Sequence, residues 1–363
     1  MIPVANPTFG EAEQEAVADV LESGMVADGP EVRRFEDEFA AACDAGHAVA
    51  TSNGTTALVA ALKALGVGEG DAVVTTPFSF VASANAIRLV GATPVFADVD
   101  PETYNLDADA TRAAVREADA DGILAVHLYG LPADLSALAD VAEEEDAFLL
   151  EDAAQAHGAR FDGSPVGSFG DAAAFSFYPT KNMTTGEGGM VVTNREGVAE
   201  AAASYVNHGR GGEGGYAHRE VGSNHRMTSI AAAIGRVQLE RLPAWVEARR
   251  ENAAALSAAV SGVDGIHAPV EPDGRRHAYH QYTVRCEDRE TLADHLEAAG
   301  VGTGVYYPTA IPDLEAYDDF DADVPVAREL AESVLSLPVH PNLSDADLLQ
   351  VVDAVQSAEV EAR

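Results

Sequence analysis

The sequence predicts an α/β protein: a mostly parallel sheet flanked by helices, with a smaller α+β C-terminal domain. Three observations support this prediction. Short apolar runs alternate with helix-patterned segments between about residues 48 and 195. A glycine-rich connection and a long amphipathic segment follow, and the pattern changes again beyond about residue 245. Strand–helix alternation with apolar strands is typical of a parallel sheet that is buried on both faces.

The length of the chain allows more than one domain. With 363 residues, of which 47% are hydrophobic, the chain can form two ordinary domains and a large buried core. We expect a large α/β domain over residues 1–244, which includes an N-terminal helical segment. A small α+β domain is expected over residues 245–363.

The predicted elements of the large domain follow one another in alternating order. Strands are predicted at residues 48–51, 71–77, 93–100, 122–130, 147–152, 172–177 and 188–193. Helices are predicted at residues 57–65, 79–91 and 135–146, where apolar residues recur at helical spacing. Together these segments predict a mostly parallel sheet with helices on both faces.

The C-terminal third has a different pattern. Residues 228–260 predict one or two long amphipathic helices, and the glycine-rich residues 209–215 before them predict a flexible loop. Further strands are predicted at residues 277–286 and 301–308, and further helices at residues 288–300 and 344–360. Ser344 is the expected N-cap of the last helix.

The charge of the chain excludes two classes of partner. Lysine and arginine number 22 against 60 aspartate and glutamate residues, which gives a net charge of −38 that is spread along the chain. Such a surface repels nucleic acid and anionic membranes, so neither is expected as a partner. An acidic, lysine-poor surface also indicates a halophilic protein, adapted to a salty cytoplasm where charges are strongly screened.

The cysteines and the hydropathy pattern bear on location. Cys43 and Cys286 have neither metal-ligand spacing nor a close partner in sequence, which favours two reduced thiols in a cytoplasmic protein. We find no signal peptide, since the N-terminus has neither a basic region nor an apolar one. We also find no uninterrupted apolar run long enough to span a membrane.

The first of three chemically suggestive stretches is "SNGTTA", residues 52–57. A predicted strand ends there, a glycine turns the chain, and Thr55 and Thr56 open a helix. The free N–H groups of a helix start, together with two hydroxyl groups, can bind a phosphate. The more common explanation for such a stretch by itself is a threonine that caps the helix.

The second stretch is "FLLEDAAQAHGA", residues 148–159. Asp152 lies where a predicted parallel strand ends, which is the edge at which α/β sheets build their sites. Gln155 follows three positions later and would lie on the same side if a helical turn starts there. From this motif alone, a site carboxylate and a carboxylate that only caps the turn are equally good interpretations.

The third stretch is "SFYPTKNMTTGEGG", residues 176–189, which contains Lys181. The chain has only two lysines, Lys63 and Lys181, against 20 arginines. A lysine kept in such a chain suggests chemistry that arginine cannot perform, since a desolvated lysine loses its proton and its free amine forms Schiff bases. Lys63, within a helical pattern, has no evident reason to be kept.

Together these stretches predict a pyridoxal phosphate site. A phosphate-binding helix start, a carboxylate at a strand end and a Schiff-base lysine are its parts. The lysine would hold the cofactor aldehyde as an imine. The carboxylate would keep the pyridine nitrogen protonated, so that the ring can accept electrons.

Longer motifs identify a family. The chain resembles the DegT/DnrJ/EryC1/StrS family of sugar aminotransferases, which have the fold type I (aspartate-aminotransferase-like) architecture. The resemblance covers nearly the whole chain and includes "TSNGTTALVAAL", "LLEDAAQAHGA", "FSFYPTKNMTTGEGGMVVT", "GSNHRMTSIAAAIGRVQLERL" and "LSLPVHPNLSDADL", in the order of the family. One departure is His225, at a position where the family commonly has an aromatic residue such as tyrosine.

The resemblance implies roles for individual residues. Lys181 would form the internal aldimine, Asp152 would pair with the pyridine nitrogen, and Gln155 would bind the phenolic oxygen of the cofactor. Phe80 would stack on the cofactor ring. The phosphate would be bound by Gly54, Thr55, Thr56 and Ser176. Asn224 would reach that phosphate from the neighbouring subunit, so the family site is shared across a homodimer.

Three weaker assignments keep two interpretations each. Phe80 stacks on the cofactor or belongs to the core. Arg226 binds a substrate anion or forms an interface salt bridge. Tyr306 and Tyr307 approach the sugar or pack within the small domain.

The resemblance also implies a reaction. The chain would move an amino group from an amino acid, by family analogy L-glutamate, to a nucleotide-linked keto sugar in a ping-pong sequence. Lys181 would be the general base and acid. One alternative is a nucleotide-sugar dehydratase, but in that branch of the family a histidine replaces the lysine. The other is a non-catalytic regulator, and the intact set of Asp152, Gln155, Ser176 and Lys181 argues against it.

Overall fold

A computed structural model describes residues 1–211 and 216–358. Residues 212–215, which form part of the predicted glycine-rich loop, and residues 359–360 of the last predicted helix lie outside the described residues. The mixed α/β architecture with a large, mostly parallel sheet is confirmed.

The described strands and helices alternate along the first two thirds of the chain. The strands are β1 (His47–Thr51), β2 (Ala72–Thr75), β3 (Thr93–Phe96), β4 (Gly122–Val126), β5 (Phe148–Asp152), β6 (Arg160–Phe161), β7 (Ser164–Pro165), β8 (Ala172–Ser176), β9 (Gly189–Thr193), β10 (Ile266–His267), β11 (Arg275–Arg276), β12 (Tyr282–Cys286) and β13 (Val334–Leu337). The helices are α1 (Glu11–Ser23), α2 (Pro30–Ala42), α3 (Gly54–Ala64), α4 (Ala82–Val90), α5 (Ala108–Ala118), α6 (Leu135–Glu144), α7 (Glu196–Val206), α8 (Ser229–Val260), α9 (Arg289–Ala298), α10 (Pro325–Ser333) and α11 (Asp345–Gln356). All seven strands predicted for the large domain are present.

The central sheet has seven strands in the order β1-β9-β8-β5-β4-β2-β3. Strands β3, β2, β4, β5 and β8 are parallel to their neighbours, whereas β9 is antiparallel to both β8 and β1. Strand β1 therefore runs in the same direction as β5 and β8. Because of this direction, the carboxyl ends of β1, β2, β4, β5 and β8 lie at one edge of the sheet.

The two faces of this sheet pack into two separate cores. In β4, Ile123 and Ala125 belong to one cluster, which includes Phe35 and Phe39 of α2. Their alternate neighbours in the strand belong to a second cluster, built with α3, α4 and α7. Alternating side chains of a strand point to opposite faces, so helices cover both sides of the sheet.

A third cluster forms the core of the C-terminal unit. It joins the C-terminal half of α8 to α9, α11, β12 and β13, and it includes Ile2 from the N-terminus. Helix α8 is a single helix of 32 residues that contains Pro243. The expected domain boundary after residue 244 therefore lies inside a helix that runs through both units.

One predicted strand is wrong. Residues 301–308 make only isolated bridges, between Val301 and Ile2 and between Gly304 and Ser336. A Cβ atom at Gly302 would stand 2.8 Å from the carbonyl oxygen of Ile2. Close backbone contacts at separate points thus hold this segment in place, and no continuous strand ladder forms.

Among the described residues, no helix is long and apolar enough to cross a membrane.

Candidate active site

The residues singled out in the sequence meet at the carboxyl edge of the central sheet. Asp152 is the last residue of β5, Ser176 is the last residue of β8, and Thr51 ends β1 immediately before α3. Phe80 follows β2 in a loop, with 57% of its surface exposed. That exposure excludes the interpretation of Phe80 as an ordinary core residue.

The start of α3 offers unused hydrogen-bond donors. The N-cap is Asn53, whose Oδ1 accepts from the N–H of Thr56 at 2.9 Å, while the N–H of Asn53 donates to Thr56 Oγ1 at 3.1 Å. This reciprocal capping box uses both the amide and the hydroxyl of Thr56. The N–H groups of Gly54 and Thr55 have no acceptor among the described residues. Two free amides and the Thr55 hydroxyl thus remain for an anion.

Ser176 lies against this helix start. A Cβ atom at Gly54 would stand 2.6 Å from Cβ and 3.0 Å from Oγ of Ser176. Only glycine at position 54 lets these two segments of the chain approach each other so closely. The Ser176 hydroxyl is thereby placed beside the free amides of α3, an arrangement that fits a phosphate group.

Asp152 is a buried carboxylate that accepts hydrogen bonds from two neutral donors and forms no salt bridge with a described residue. Its Oδ2 accepts from Ser83 Oγ at 2.7 Å, and its Oδ1 accepts from the N–H of Ala154 at 3.2 Å. Burial raises the pKa of Asp152, although these hydrogen bonds and the positive charge of Lys181 lower it. A protonated ring nitrogen beside this carboxylate would supply the missing positive charge.

Lys181 lies in the loop after β8, where its amine is poised to lose its proton. Burial lowers the pKa of Lys181 to about 8, and the carboxylate of Asp152 partly opposes this shift. The Lys181 amine makes no hydrogen bond to another described residue. A large fraction of such an amine is neutral near pH 8, which is the form that attacks an aldehyde.

Two buried histidines, His157 and His280, lie close enough to Lys181 to feel its charge. Burial, together with the positive charge of Lys181, lowers the pKa of His157 to about 3 and that of His280 well below its usual value. Both imidazoles are therefore neutral at physiological pH. They add no positive charge of their own beside the lysine.

Gln155 links the end of β5 to Tyr307, which lies in the segment between α9 and α10 and packs on the second core of the central sheet. Its Oε1 accepts from the N–H of Tyr129 at 2.7 Å, and its Nε2 donates to the hydroxyl of Tyr307 at 3.1 Å. The rings of Tyr307 and Phe80 are 6.1 Å apart between centroids. Tyr307 therefore contacts residues of the predicted cofactor site, which decides against packing within the small domain alone.

A buried hydrogen-bond network around Glu151 holds the strand ends next to the site. Glu151 accepts from His127 Nε2 at 3.0 Å and from the N–H groups of Gly167, Phe169 and Gly170 at 2.7–2.9 Å. His127 Nδ1 accepts from the N–H of Ala133 at 3.0 Å, so the ring carries its proton on Nε2. This network ties β4 and the loop before β8 to the end of β5, next to Asp152.

The segment that contains Asn224 lies beside the start of α3 in the same chain. The N–H of Ser52 donates to the carbonyl oxygen of His225 at 2.7 Å, and Arg226 Nη1 donates to Asn207 Oδ1 at 2.8 Å. Asn224 itself is exposed. Arg226 forms no salt bridge with a described residue, so it remains available to an anion.

Sequence reasoning missed Ser83 and the full role of the Glu151 network. Neither belongs to a local pattern, because Ser83 is 69 positions from its partner Asp152. The structure also explains Lys63, whose Nζ donates to the carbonyl oxygen of Val90 at 3.0 Å and so ties α3 to the end of α4. Lys63 is structural, and this distinguishes it from Lys181.

Comparison with known proteins identifies the same family as the sequence motifs. The model of the DegT/DnrJ/EryC1/StrS aminotransferase family matches residues 7–356. The chain belongs to this family. It is therefore an aminotransferase, and the expected fold type I architecture is confirmed by solved structures of the family.

Three of the similar proteins show how close the likeness is. The chain is 39% identical to the dTDP-3-amino-3,4,6-trideoxy-alpha-D-glucose transaminase of Streptomyces venezuelae, with 94% of this chain and 90% of the relative covered. It is also 39% identical to a pleiotropic regulatory protein of Geobacillus stearothermophilus, with coverages of 93% and 91%. The solved structure of Spr1654 from Streptococcus pneumoniae in its PLP form superposes with a TM-score of 0.92 at 28% identity, covering 98% of each chain.

Proposed function

We propose that this chain is a pyridoxal-phosphate-dependent aminotransferase that moves an amino group from L-glutamate to a nucleotide-linked keto sugar. The observation that carries the proposal is the amine of Lys181, with its lowered pKa, beside the buried carboxylate of Asp152. The transaminase of S. venezuelae, which carries a dTDP-sugar in its name, supports the substrate class.

The residues present fit the cofactor at each of its polar groups. The free amides of Gly54 and Thr55, with the Ser176 hydroxyl, suit the phosphate, while Asp152 suits the ring nitrogen and Gln155 the phenolic oxygen. Phe80 is exposed and free to stack on the ring. Thr56 is assigned to the phosphate through its position only, because its hydroxyl already belongs to the capping box.

The chemistry divides between the cofactor and the protein. Pyridoxal phosphate supplies an electron sink for the negative charge that develops at the α-carbon of the donor. The neutral amine of Lys181 accepts the proton from that carbon and donates it again, as general base and then general acid. Asp152 holds a proton on the ring nitrogen. The same proton transfers by Lys181 in two half-reactions give ping-pong kinetics.

A homodimer is part of the proposal, with Asn224 reaching the phosphate of the neighbouring subunit. The exposed aromatic side chains of Phe80 and Tyr178, which are 57% and 49% exposed, support a covering partner at this edge. A mixture of Lys181→Ala and Asn224→Ala subunits tests this arrangement. Hybrid dimers regain activity at one of their two sites only if each site uses both subunits, and neither variant by itself regains it.

We place the reaction in the cytoplasm. Cys43 and Cys286 are buried and unpaired, which fits a reducing compartment. Expression of the chain followed by fractionation tests this part of the proposal. Recovery of the protein with the secreted fraction would contradict it.

The experiment that tests the function is a visible absorbance spectrum of the pure protein with added pyridoxal phosphate in high salt, before and after L-glutamate. We expect an absorbance band in the violet, which gives the protein a yellow colour, and we expect L-glutamate to bleach this band and 2-oxoglutarate to restore it. Lys181→Arg should lose the band, whereas the matched control Lys63→Arg should keep it. A band that L-glutamate leaves unchanged would contradict the proposed donor.

The same measurement separates the alternative functions. A bound cofactor that responds to a nucleotide keto sugar only by elimination of water would favour a dehydratase. A protein that binds no pyridoxal phosphate would favour a regulator, which is the role that the name of the G. stearothermophilus relative describes. The presence of Lys181, Asp152 and Gln155 near the carboxyl edge of the central sheet supports transamination over both.

A further inference from the structure

Tyr307, in the segment between α9 and α10, packs on the second core of the central sheet and contacts residues of the predicted cofactor site. Its hydroxyl accepts from Gln155 Nε2 at 3.1 Å, and its ring lies 6.1 Å from that of Phe80 at an interplanar angle of 39°. Burial, with a contribution from the charge of Asp152, raises the pKa of Tyr307, so the phenol keeps its proton. It is a neutral hydroxyl group at the polar edge of the site.

The amide of Gln155 has a fixed orientation. A backbone N–H can only donate, so the 2.7 Å contact from Tyr129 N–H must end on the carbonyl oxygen of the Gln155 side chain. The Nε2 group therefore faces the site with two N–H donors. Tyr307 takes one of them, and the second has no acceptor among the described residues.

We propose that Tyr307 is a positioning residue, whose hydroxyl holds the Gln155 amide so that its second N–H points at the phenolic oxygen of bound pyridoxal phosphate. The inference rests on the proposed function, since it needs the cofactor at this site. Tyr307 acts through Gln155 and is not required to touch the cofactor.

A measurable consequence follows from hydrogen bonding. A donor to the phenolic oxygen stabilises its negative form, which lowers the pH at which the Lys181–cofactor linkage gives up its proton. Without the Tyr307 hydroxyl, the Gln155 amide is held at its carbonyl oxygen alone, by the Tyr129 N–H, so its Nε2 group can shift and this donor weakens. The midpoint should then move upward by about 0.5–1 pH unit, the value of one modest hydrogen bond.

The experiment is a pH titration of the visible absorbance of the cofactor-loaded protein. Tyr307→Phe removes one oxygen atom and keeps the ring beside Phe80. The matched control is Tyr306→Phe, because the Tyr306 hydroxyl makes no hydrogen bond to a described residue. We expect an upward shift for Tyr307→Phe and no shift for Tyr306→Phe.

A second variant shows whether Tyr307 acts through Gln155. Gln155→Leu should raise the midpoint by itself, and adding Tyr307→Phe to it should produce no further shift. The Gln155→Leu variant also provides a test if Tyr307→Phe fails to bind the cofactor. An unchanged midpoint in Gln155→Leu overturns the inference.

The outcomes distinguish the inference from the function on which it rests. An unchanged or lowered midpoint in Tyr307→Phe, or additive shifts in the double variant, overturns the role of Tyr307 and leaves the aminotransferase intact. A wild-type protein that shows no visible band when supplied with pyridoxal phosphate refutes the proposed function itself.

Discussion

Gly54 and Ser176 approach each other so closely that a methyl group at Gly54 would stand 2.6 Å from the Cβ of Ser176. Gly54 is the first residue of α3, and Ser176 is the last residue of β8. Their contact brings a helix N-terminus and a hydroxyl group together from two chain segments 122 positions apart (176 minus 54). The size of one residue thus sets the geometry of the anion site.

Gly54→Ala should therefore disrupt cofactor binding. The added Cβ forces α3 and β8 apart at the predicted phosphate site, because Ser176 Cβ cannot rotate away. We expect the dissociation constant for pyridoxal phosphate to rise by about tenfold or more, equal to the loss of one or two hydrogen bonds to a charged group. Fluorescence or absorbance titration with the cofactor measures this change.

The matched control for that variant is Gly197→Ala. Gly197 lies in the first turn of α7, and a Cβ atom there meets nothing within 4 Å. Alanine should leave cofactor affinity unchanged and slightly stabilise the helix. Equal affinity of the Gly54→Ala and wild-type proteins would show that the phosphate binds elsewhere.

The pH dependence of cofactor capture should report the pKa of Lys181. The neutral amine is the attacking form, so the capture rate should rise with pH and level off above a midpoint near 8. In Asp152→Asn, the carboxylate that favours the protonated amine is lost, and the midpoint should fall below that of the wild type. Stopped-flow absorbance with cofactor-free protein measures both profiles.

The wild type and Asp152→Asn capture the same pyridoxal phosphate, whose own protonation affects both pH profiles equally. A difference between the two midpoints therefore reports a difference in the protein. Asp140→Asn serves as a second comparison, because it removes a carboxylate from helix α6. Its profile should match that of the wild type. A midpoint for Asp152→Asn that equals or exceeds the wild-type value would contradict the assigned electrostatics.

The sequence predicts the central sheet well because the pattern that defines it is local. Every predicted strand between residues 48 and 193 is present, since apolar runs bounded by glycine and polar turns specify a buried strand without distant information. The strand predicted at residues 301–308 fails for the opposite reason. Its alternating residues suit a strand, but Gly304 meets β13 at a single bridge, with Ser336, while the N–H of Gly302 donates to Ile2 at the N-terminus, so these partners are set by tertiary packing.

The site divides in the same way. Lys181, Asp152, Gln155 and Gly54 lie in short motifs whose chemistry can be interpreted one segment at a time. The contact between Gln155 and Tyr307 joins residues 152 positions apart, so no local pattern could predict it. The N-cap of α3 shows an intermediate case, in which "SNGTT" offers several capping residues and the geometry selects Asn53.

Glu151 should contribute strongly to stability, although it takes no part in the proposed chemistry. Burial would raise its pKa, but the hydrogen bonds from His127 and from the N–H groups of Gly170 and Gly167 hold the pKa of Glu151 below its usual 4.5. Glu151→Gln replaces one accepting oxygen by a donating amide that faces N–H groups. We expect a loss of about 3 kcal/mol in the free energy of unfolding at pH 7, measured by denaturant titration.

The sign of the pH effect follows from that lowered pKa. The carboxylate stabilises the folded chain fully above pH 4.5, and this contribution is lost as the pH falls further through the folded-state pKa. The difference between wild type and Glu151→Gln should therefore narrow in acid. Asp313→Asn is the control, because its salt bridge with Arg328 is 38–44% exposed and should contribute at most about 0.5 kcal/mol. Equal losses in the two variants would contradict the role of burial.

The net charge of −38 predicts that the chain is most stable at high salt. Like charges spread over the surface repel one another, and the distance over which they do so falls from about 10 Å at 0.1 M salt to about 3 Å at 1 M. If screening removes about 2–3 kcal/mol of repulsion, the midpoint of thermal unfolding of a 363-residue chain should rise by about 3–4 °C between these concentrations. Potassium chloride should produce this rise, whereas sucrose at equal osmolality should produce less, because sucrose screens no charge. Sedimentation under the same conditions should show that the proposed dimer dissociates first at low salt. Melting curves that are identical at 0.1 M and 1 M salt would contradict the prediction that surface repulsion destabilises the chain at low salt.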